Sequence, residues 1–365
     1  MIRRVAPAVY SIAAGLPFVD VLADGLLARY GDDTAAALAR VTVLVPTRRA
    51  AKTLGEAFLR RAGGRATLLP AMHPIGDVDE EALLILGAAA GLDLDLPPAA
   101  PPLWRQAQLS ELVIAWERRL CGAPPSPAQA AALAAELARF LDQVETEGLD
   151  LKKLQHLAPE DYAEHWQRTL DFLRIISEHW PKILKSAGFM AAAARRDRLL
   201  RQLTTLWRQQ PPQGPVIAAG STGSIPSTAA LLKVVARLPQ GAVVLPGLDL
   251  ELDQTSWAAL GPTHPQATMK RLLEDIQAAR EEVRPWLAEP PSPARQARRR
   301  LISLALLPPA ATDAWRDHKI DLAPALSGLH LVEAASPREV AGAIALAIRE
   351  PMEEPGRTAA LITQH

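Results

Sequence analysis

The sequence predicts an α/β protein: a parallel-sheet domain interrupted by an all-helical insertion and followed by the start of a second α/β domain. Three observations carry that expectation. Short apolar runs of strand length alternate with helical patterns over the first 76 residues. No strand pattern occurs between about Gly76 and Gln210, and strand–helix–strand alternation returns beyond it. The expected parts are a discontinuous sheet domain (residues 1–76 and 211–327), a helical insertion (77–210) and the beginning of a second sheet domain (328–365).

In order along the chain, "AVYSIA" and "VTVLVP" are the first two strand candidates, followed by the helical patterns "FVDVLADGLLARY" and "RAAKTLGEAFLRR". Within the insertion, "LSELVIAWERRL" sets Leu109, Leu112, Val113, Trp116 and Leu120 on one face at helical spacing. "SPAQAAALAAELARFLDQVE" opens with a capping box, Ser126 to Gln129, with Pro127 at the first helical position. "EDYAEHWQRTLDFLRIISEHWPKILKSAG" reads as a helix pair stopped at Gly188. "PVIAAGS", "IPSTAALLKVVARL" and "AVVLPGL" then form a β-α-β unit with a parallel crossover. Proline- and arginine-rich segments fill roughly 285–325. "LHLVEA", the helix "SPREVAGAIALAI" with a capping box from Ser336 to Glu339, and "TAALIT" give a fresh β-α-β start. A domain that ends in its second strand is incomplete, so the chain is expected to be a piece of a longer protein.

Composition excludes several classes. A chain of 365 residues with 49% hydrophobic content holds two or three domains and at least one sizeable core. Lys+Arg and Asp+Glu are 40 each, so a disordered, highly charged tail is excluded and any basic site must be local. Cys121 is the sole cysteine, which excludes a disulfide framework, a four-cysteine zinc site or a cysteine-ligated cluster within this chain and fits a cytoplasmic setting. The N-terminal "MIRRVAPAVYSIAAGLPF" imitates a signal peptide, but Asp20 and Asp24 follow on a continuing helix, and no stretch approaches a membrane span.

The segment from Gly15 falls where nucleotide-binding α/β proteins keep a phosphate loop, G-x-x-x-x-G-K-[ST]. Its last three places hold Asp20, Val21 and Leu22. An aspartate repels phosphate, and valine and leucine supply neither a cation nor a metal-binding oxygen. The strand expected to end in acidic magnesium ligands ends instead in Ala218 and Ala219. ATP hydrolysis is therefore not expected, and no catalytic residue or metal site is predicted.

"VTVLVPTRRAAKTL", "VIAAGSTGSIPSTAALLKVVARLPQGAVVLPGLD" and "LHLVEAASPREVAGAIALAI" resemble the N-terminal part of the AddB family, the second subunit of the bacterial AddAB helicase–nuclease, in its alphaproteobacterial branch. The resemblance covers essentially the whole chain, and "GSTGSIP" with "VVLPGLD" is its most specific part. It implies a superfamily-1, RecA-type helicase-like fold, with domain 1A broken by a helical 1B insertion and domain 2A beginning near Gly328. In complete family members an arm and a nuclease domain with an iron–sulfur cluster follow; no cofactor is expected in these 365 residues. The resemblance further implies that the motor lies in the AddA partner, while the AddB fold guides single-stranded DNA and scans it for Chi during double-strand break repair by homologous recombination. Some family members keep a recognisable phosphate loop; this sequence departs from them.

Two loops are candidates for DNA contact. In "VPTRRAA", Thr47 can donate a hydrogen bond and Arg48 and Arg49 can clamp phosphate or stack on a base. The resemblance places this loop where helicases touch the DNA backbone; the structural alternative is an N-capping Thr47 with two solvated arginines. In "GSTGSIPS", Gly220, Ser221, Thr222 and Ser224 make a small hydroxyl-rich turn suited to close approach by a phosphate or base, the alternative being hydroxyls that cap the next helix.

Asp77, Asp79, Glu80 and Glu81 read as carboxylates at a helix start rather than a metal cluster. Trp104, Trp116, Trp166, Trp180 and Trp207 fall on apolar helix faces and are expected in the core. Arg295, Arg298, Arg299 and Arg300 share one short helix, expected to be a solvated face. The rival functional expectations are an α/β ATPase or helicase with an irregular nucleotide site, and a pure scaffold for the sister subunit.

Overall fold

The computed structural model describes residues 6–31, 35–63, 66–76, 96–121, 125–150, 175–288, 292–316 and 321–363. The chain divides into two compact units, Met1–Pro290 with Leu306–Ala314, and Pro291–Ala305 with Trp315–His365.

The first unit is built on a six-stranded, all-parallel sheet. Its elements are β1 (Val9–Ile12), α1 (Phe18–Tyr30), α2 (Ala35–Ala39), β2 (Thr42–Val45), α3 (Arg48–Ala62) and β3 (Ala71–Pro74). The helical stretch follows with α4 (Pro102–Cys121), α5 (Pro127–Thr146), a π-helical turn (Ile175–His179), α6 (Trp180–Ser186) and α7 (Ala192–Gln209). The sheet resumes with β4 (Val216–Ala219), α8 (Pro226–Val235), β5 (Gly241–Pro246), α9 (Gln254–Ala258), α10 (Ala267–Ile276) and β6 (Arg284–Pro285). The strand order is β3-β2-β4-β5-β1-β6.

Strand residues alternate between two covered faces. Ile12, Val43, Val45, Ile217, Ala219, Ala242 and Val244 join Leu22 and Leu26 of α1 and Leu54, Ala57 and Phe58 of α3 in one apolar core. On the other face α8 packs on β4 and β5 and against α7 and α10. β4 and β5 are buried along nearly their whole length, which is why they read as continuous apolar runs rather than alternating ones. The expected β-α-β unit over 216–246 forms with β4 and β5 as parallel neighbours, Val216 beside Gly241 and Ala219 beside Val244.

Two strands carry no sequence signal of that kind. β3 is "AMHP", with alternate residues exposed, and Pro74 ends it at the sheet edge, where a missing N–H costs nothing. β6 is only Arg284–Pro285, both exposed, on the opposite edge beside Tyr10 and Ser11. Immediately after it Trp286 turns inward. Its indole N–H donates to Leu22 O at 3.3 Å, its ring meets Tyr10 edge-on at 5.3 Å, and the Arg29 guanidinium stacks 3.6 Å from its centroid.

Within the helical stretch the predicted caps form. Gln129 N–H donates to Ser126 Oγ at 3.3 Å, and Ser126 N–H donates back to Gln129 Oε1 at 3.0 Å. Past α6, Phe189 N–H reaches Leu184 O at 2.9 Å, with Gly188 in the left-handed conformation. Leu109, Val113, Ala134, Leu137, Leu141, Ile176, Trp180 and Leu184 form its core, with Trp104 packed against Phe189 at 5.0 Å. Trp116 and Trp207 are half-buried; Leu120's side chain and Trp166 lie outside the described residues. A polar group is built into this bundle. Arg105 of α4 donates to Asp142 of α5 at 2.9 Å and to Ala138 O at 3.0 Å. Burial pushes the neighbouring Glu145 carboxyl above its ordinary range, against the attraction of Arg105 and the Ala194 N–H.

The second unit contains α11 (Pro293–Ala305), α12 (Leu322–Leu326) and α13 (Pro337–Met352). Arg298 corrects the expected solvated face: its guanidinium donates to Ala325 O at 2.8 Å and to Ser327 O, so it caps α12. The two strands expected at "LHLVEA" and "TAALIT" are also corrected, since residues 329–334 and 358–363 join no β-ladder. A parallel strand exists only through a neighbour's hydrogen bonds, and an apolar pattern alone supplies none. The helix between them does form, with Ser336 Oγ accepting from Glu339 N–H at 3.3 Å, while the Glu339 carboxylate takes Ala335 N–H rather than that of Ser336.

Two stability predictions follow from these contacts. A Cβ on Gly25 would stand 2.1 Å from Trp286 Nε1, so Gly25→Ala is expected to destabilise by about 1–3 kcal/mol through overpacking, outweighing a helix-propensity gain of at most about 1 kcal/mol; urea unfolding measures it. Because Glu145 binds its proton more tightly when folded, stability falls as pH rises from its unperturbed value of 4.5 through the raised folded value. Glu145→Gln is expected to flatten that fall and to leave the protein at least as stable at pH 7, as read from unfolding midpoints across pH.

Candidate nucleic-acid interface

Connections leaving β1 and β2 run toward the β3 edge, and those leaving β4 and β5 run toward the β6 edge. Neighbouring strands whose connections diverge leave a crevice at their carboxyl ends, the usual ligand position in open parallel sheets. Connections run in opposite directions at three neighbouring pairs, β3 with β2, β2 with β4 and β1 with β5, and of these only the β2 and β4 connections run apart.

The β2/β4 crevice brings the two candidate loops together. On one side Thr47 is extended, and its Oγ1 accepts from Ala50 N–H at 3.1 Å, so the hydroxyl caps α3. The capping alternative is thus the one Thr47 takes. Arg48 and Arg49, the first two residues of α3, are exposed. Across the crevice the Gly220–Ser224 turn is shaped by Gly220 and Gly223, with φ of 79° and 68°. Gly220 N–H still donates to Val244 O at 3.0 Å, and Gly223 N–H donates to Ser221 Oγ at 3.3 Å. Hydroxyl capping of α8 does not occur, because its N-cap is Ile225, followed by Pro226. The turn is tight against its surroundings: a Cβ on Gly220 would sit 3.3 Å from Phe18 Cε1 and 3.5 Å from Pro46 Cδ.

The ends of β1 and β5 are arranged differently. Of the three positions read against the phosphate-loop pattern, none faces an open anion site. Asp20 pairs with Arg60 of α3 at 2.7 Å, Val21 is half-buried, and Leu22 is 1% exposed in the apolar core. Asp24 repeats the Asp20 bridge one turn on, to Arg61 at 2.5 Å. Gly15 is exposed with φ 83°. Ala218 and Ala219 are each 1% exposed in the sheet. A residue the sequence reading passed over, Phe18 at the first position of α1, brings its ring to Gly220, where Pro46 also approaches, and so reaches across to the ends of β4 and β2.

The β5 loop is held rigid by groups that also carry no motif. Ser11 Oγ donates to Leu245 O at 3.3 Å and accepts from Leu248 N–H at 3.1 Å. The Gln266 amide donates to Gly247 O at 3.1 Å and accepts from Asp249 N–H at 3.0 Å. His264 Nδ1 accepts from Gln266 N–H at 3.1 Å, which leaves Nε2 to donate to Leu306 O at 2.7 Å. Asp253 caps α9, and the Ser256 N–H holds its carboxyl below the ordinary range.

Among the described residues no group of three or more His, Cys, Asp or Glu could hold a metal ion, and no helix is long and apolar enough to cross a membrane. Asp77, Asp79, Glu80 and Glu81 lie outside the described residues. No protein-family model and no curated protein matches this chain.

With valine and a buried leucine where a triphosphate would need a cation and a hydroxyl, titration with ATP–magnesium is expected to give no binding heat in the micromolar range. Saturable micromolar binding would overturn that reading of the β1 loop.

Proposed function

We propose that this chain is a non-hydrolysing, helicase-like element that holds single-stranded DNA across the β2/β4 crevice. The observation that carries the reading is the convergence of two loops distant in the chain, Thr47–Arg49 and Gly220–Ser224, on adjacent strand ends of one crevice. The first supplies two exposed arginines at the start of a helix, where the dipole favours phosphate. The second supplies a glycine-shaped backbone turn that a base or phosphate can approach closely, with Thr222 half-buried and Ser224 exposed at its rim. The ion-paired Asp20 and buried Leu22 at the phosphate-loop places support separation of this DNA-holding role from ATP hydrolysis.

On the resemblance to the AddB family, the wider role is to guide or scan a single strand, with Chi as the sequence scanned, inside a cytoplasmic complex for double-strand break repair by homologous recombination. An AddA-like subunit supplies the motor. Docking with such a partner is supported by α13, none of whose residues is buried and whose Val340, Leu346 and Met352 are exposed.

Each phosphate neutralised on a single strand adds about 0.7 to the slope of log affinity against log salt. Arg48→Ala with Arg49→Ala is therefore expected to weaken oligothymidylate binding and to lower that slope by about 1.4, measured by fluorescence anisotropy at several salt concentrations. Unchanged affinity and slope in the double variant would overturn the assignment of the loop.

A further inference from the structure

α7 buries Ala193, Leu199, Leu200, Thr204 and Leu206, which turns its arginines outward or onto polar partners. Arg195 donates to Pro97 O at 3.0 Å, and Arg201 pairs with Asp197 at 2.7 Å. Arg196 is exposed and has no carboxylate partner among the described residues. Its place is set by Gly76. Arg196 Cδ lies 3.0 Å, and Nε 4.0 Å, from where a Cβ on Gly76 would stand. Gly76 has φ 112°, a conformation open to glycine, and the absent side chain lets the arginine stem lie along the end of β3.

The end of β3 adjoins the crevice just described. Ile75 N–H donates to Val45 O at 2.7 Å, the last bond between β3 and β2. Gly76 follows that bond on one strand as Pro46 and Thr47 follow it on the other. Gly76, against which the Arg196 stem lies, is thereby about one strand spacing, roughly 5 Å, from Thr47 along the rim. Read across the carboxyl rim, the order is Arg196 at the end of β3, Arg48 and Arg49 after β2, and Gly220–Ser224 after β4. That rim spans two strand spacings, about 10 Å, which suits successive phosphates of one strand better than a single anion.

We infer that Arg196 is a third phosphate-contacting arginine, carrying the single strand out of the β2/β4 crevice, over the edge strand β3 and onto the helical part of the first unit. The inference rests on the single-strand reading of that crevice. The guanidinium takes phosphate oxygens through two parallel N–H donors, and its charge adds to the electrostatic part of the affinity whatever the base sequence. Sequence reading had no means to find it, because Arg196 lies 120 residues from Gly76 and belongs to no motif.

The test uses the full chain and an oligothymidylate of about 16 nucleotides, the upper end of common single-strand site sizes, followed by anisotropy across salt concentrations. Arg196→Ala is expected to weaken binding several-fold and to lower the salt slope by about 0.7, while Arg196→Lys keeps the slope and circular dichroism shows both variants folded. An unchanged slope in Arg196→Ala, alongside a lowered slope in the Arg48→Ala/Arg49→Ala variant, overturns this inference and leaves the crevice reading standing. A lowered affinity that Arg196→Lys does not restore also overturns it, since the residue would then act through packing. If the double variant binds like the wild type, the crevice reading itself fails, and the role of Arg196 falls with it.

Discussion

The parallel ladder β4-β5-β1 is the constraint on which the other parts depend. Its strands are short, four to six residues, yet nearly every position is buried, so their backbone groups have no water to fall back on and must bond to one another. Burial on both faces requires helices on both faces, and right-handed crossovers allocate them by the direction in which each connection runs. That allocation sends connections in opposite directions at β1/β5, at β2/β4 and at β3/β2. Ser11 belongs to the same constraint: within a buried strand its hydroxyl ties the departing chain of β5 back to the ladder through Leu245 and Leu248.

From this common scaffold the β1/β5 and β2/β4 strand ends diverge in chemistry. At β1 the helix that follows is pulled toward α3 by the Asp20–Arg60 and Asp24–Arg61 bridges and toward β6 by Trp286, and its apolar face supplies Leu22 and Leu26 to the core. The bridges are largely exposed and each contributes at most about 1 kcal/mol. The burial of Leu22, Leu26 and Trp286 contributes more, about 1.5–3 kcal/mol for a side chain of this size, so packing rather than charge sets where α1 begins. Phe18 arrives at the strand ends as a consequence. At β2 the following helix begins with a capped threonine and two exposed arginines, and the Phe18 ring meets Gly220 beside Pro46, between the ends of β2 and β4.

Much of the fold was legible before any coordinates. β1, α1, β2, β4 and α8 lie within the segments expected for them, and α3 and β5 overrun theirs by no more than a single residue at either end, because strands buried on both faces and amphipathic helices leave strong periodic signals. β3 and β6 were not legible: one is half-exposed and ends in proline, the other is two residues long, and edge strands need little apolar pattern. The segments at 329–334 and 358–363 erred in the opposite direction, having the apolar pattern without a neighbour to pair with. Arg298 reads as surface charge in a basic run, yet its target is a pair of carbonyls nearly thirty residues away.

By itself the sequence determined the chemistry of each position: no cation or hydroxyl in the phosphate-loop places, two arginines after a strand, glycines and hydroxyls after another, caps at Thr47, Ser126 and Ser336. These are local properties, carried by side chains and by neighbours three or four residues apart. Only the tertiary structure decided which of them meet. It set the Thr47 and Gly220 turns side by side, turned Asp20 away toward Arg60, laid Phe18 against Gly220, and brought Arg196 to Gly76. The physical reason is that strand order, not chain order, determines adjacency in a parallel sheet, and strand order is settled by which buried faces and backbone bonds can be satisfied together.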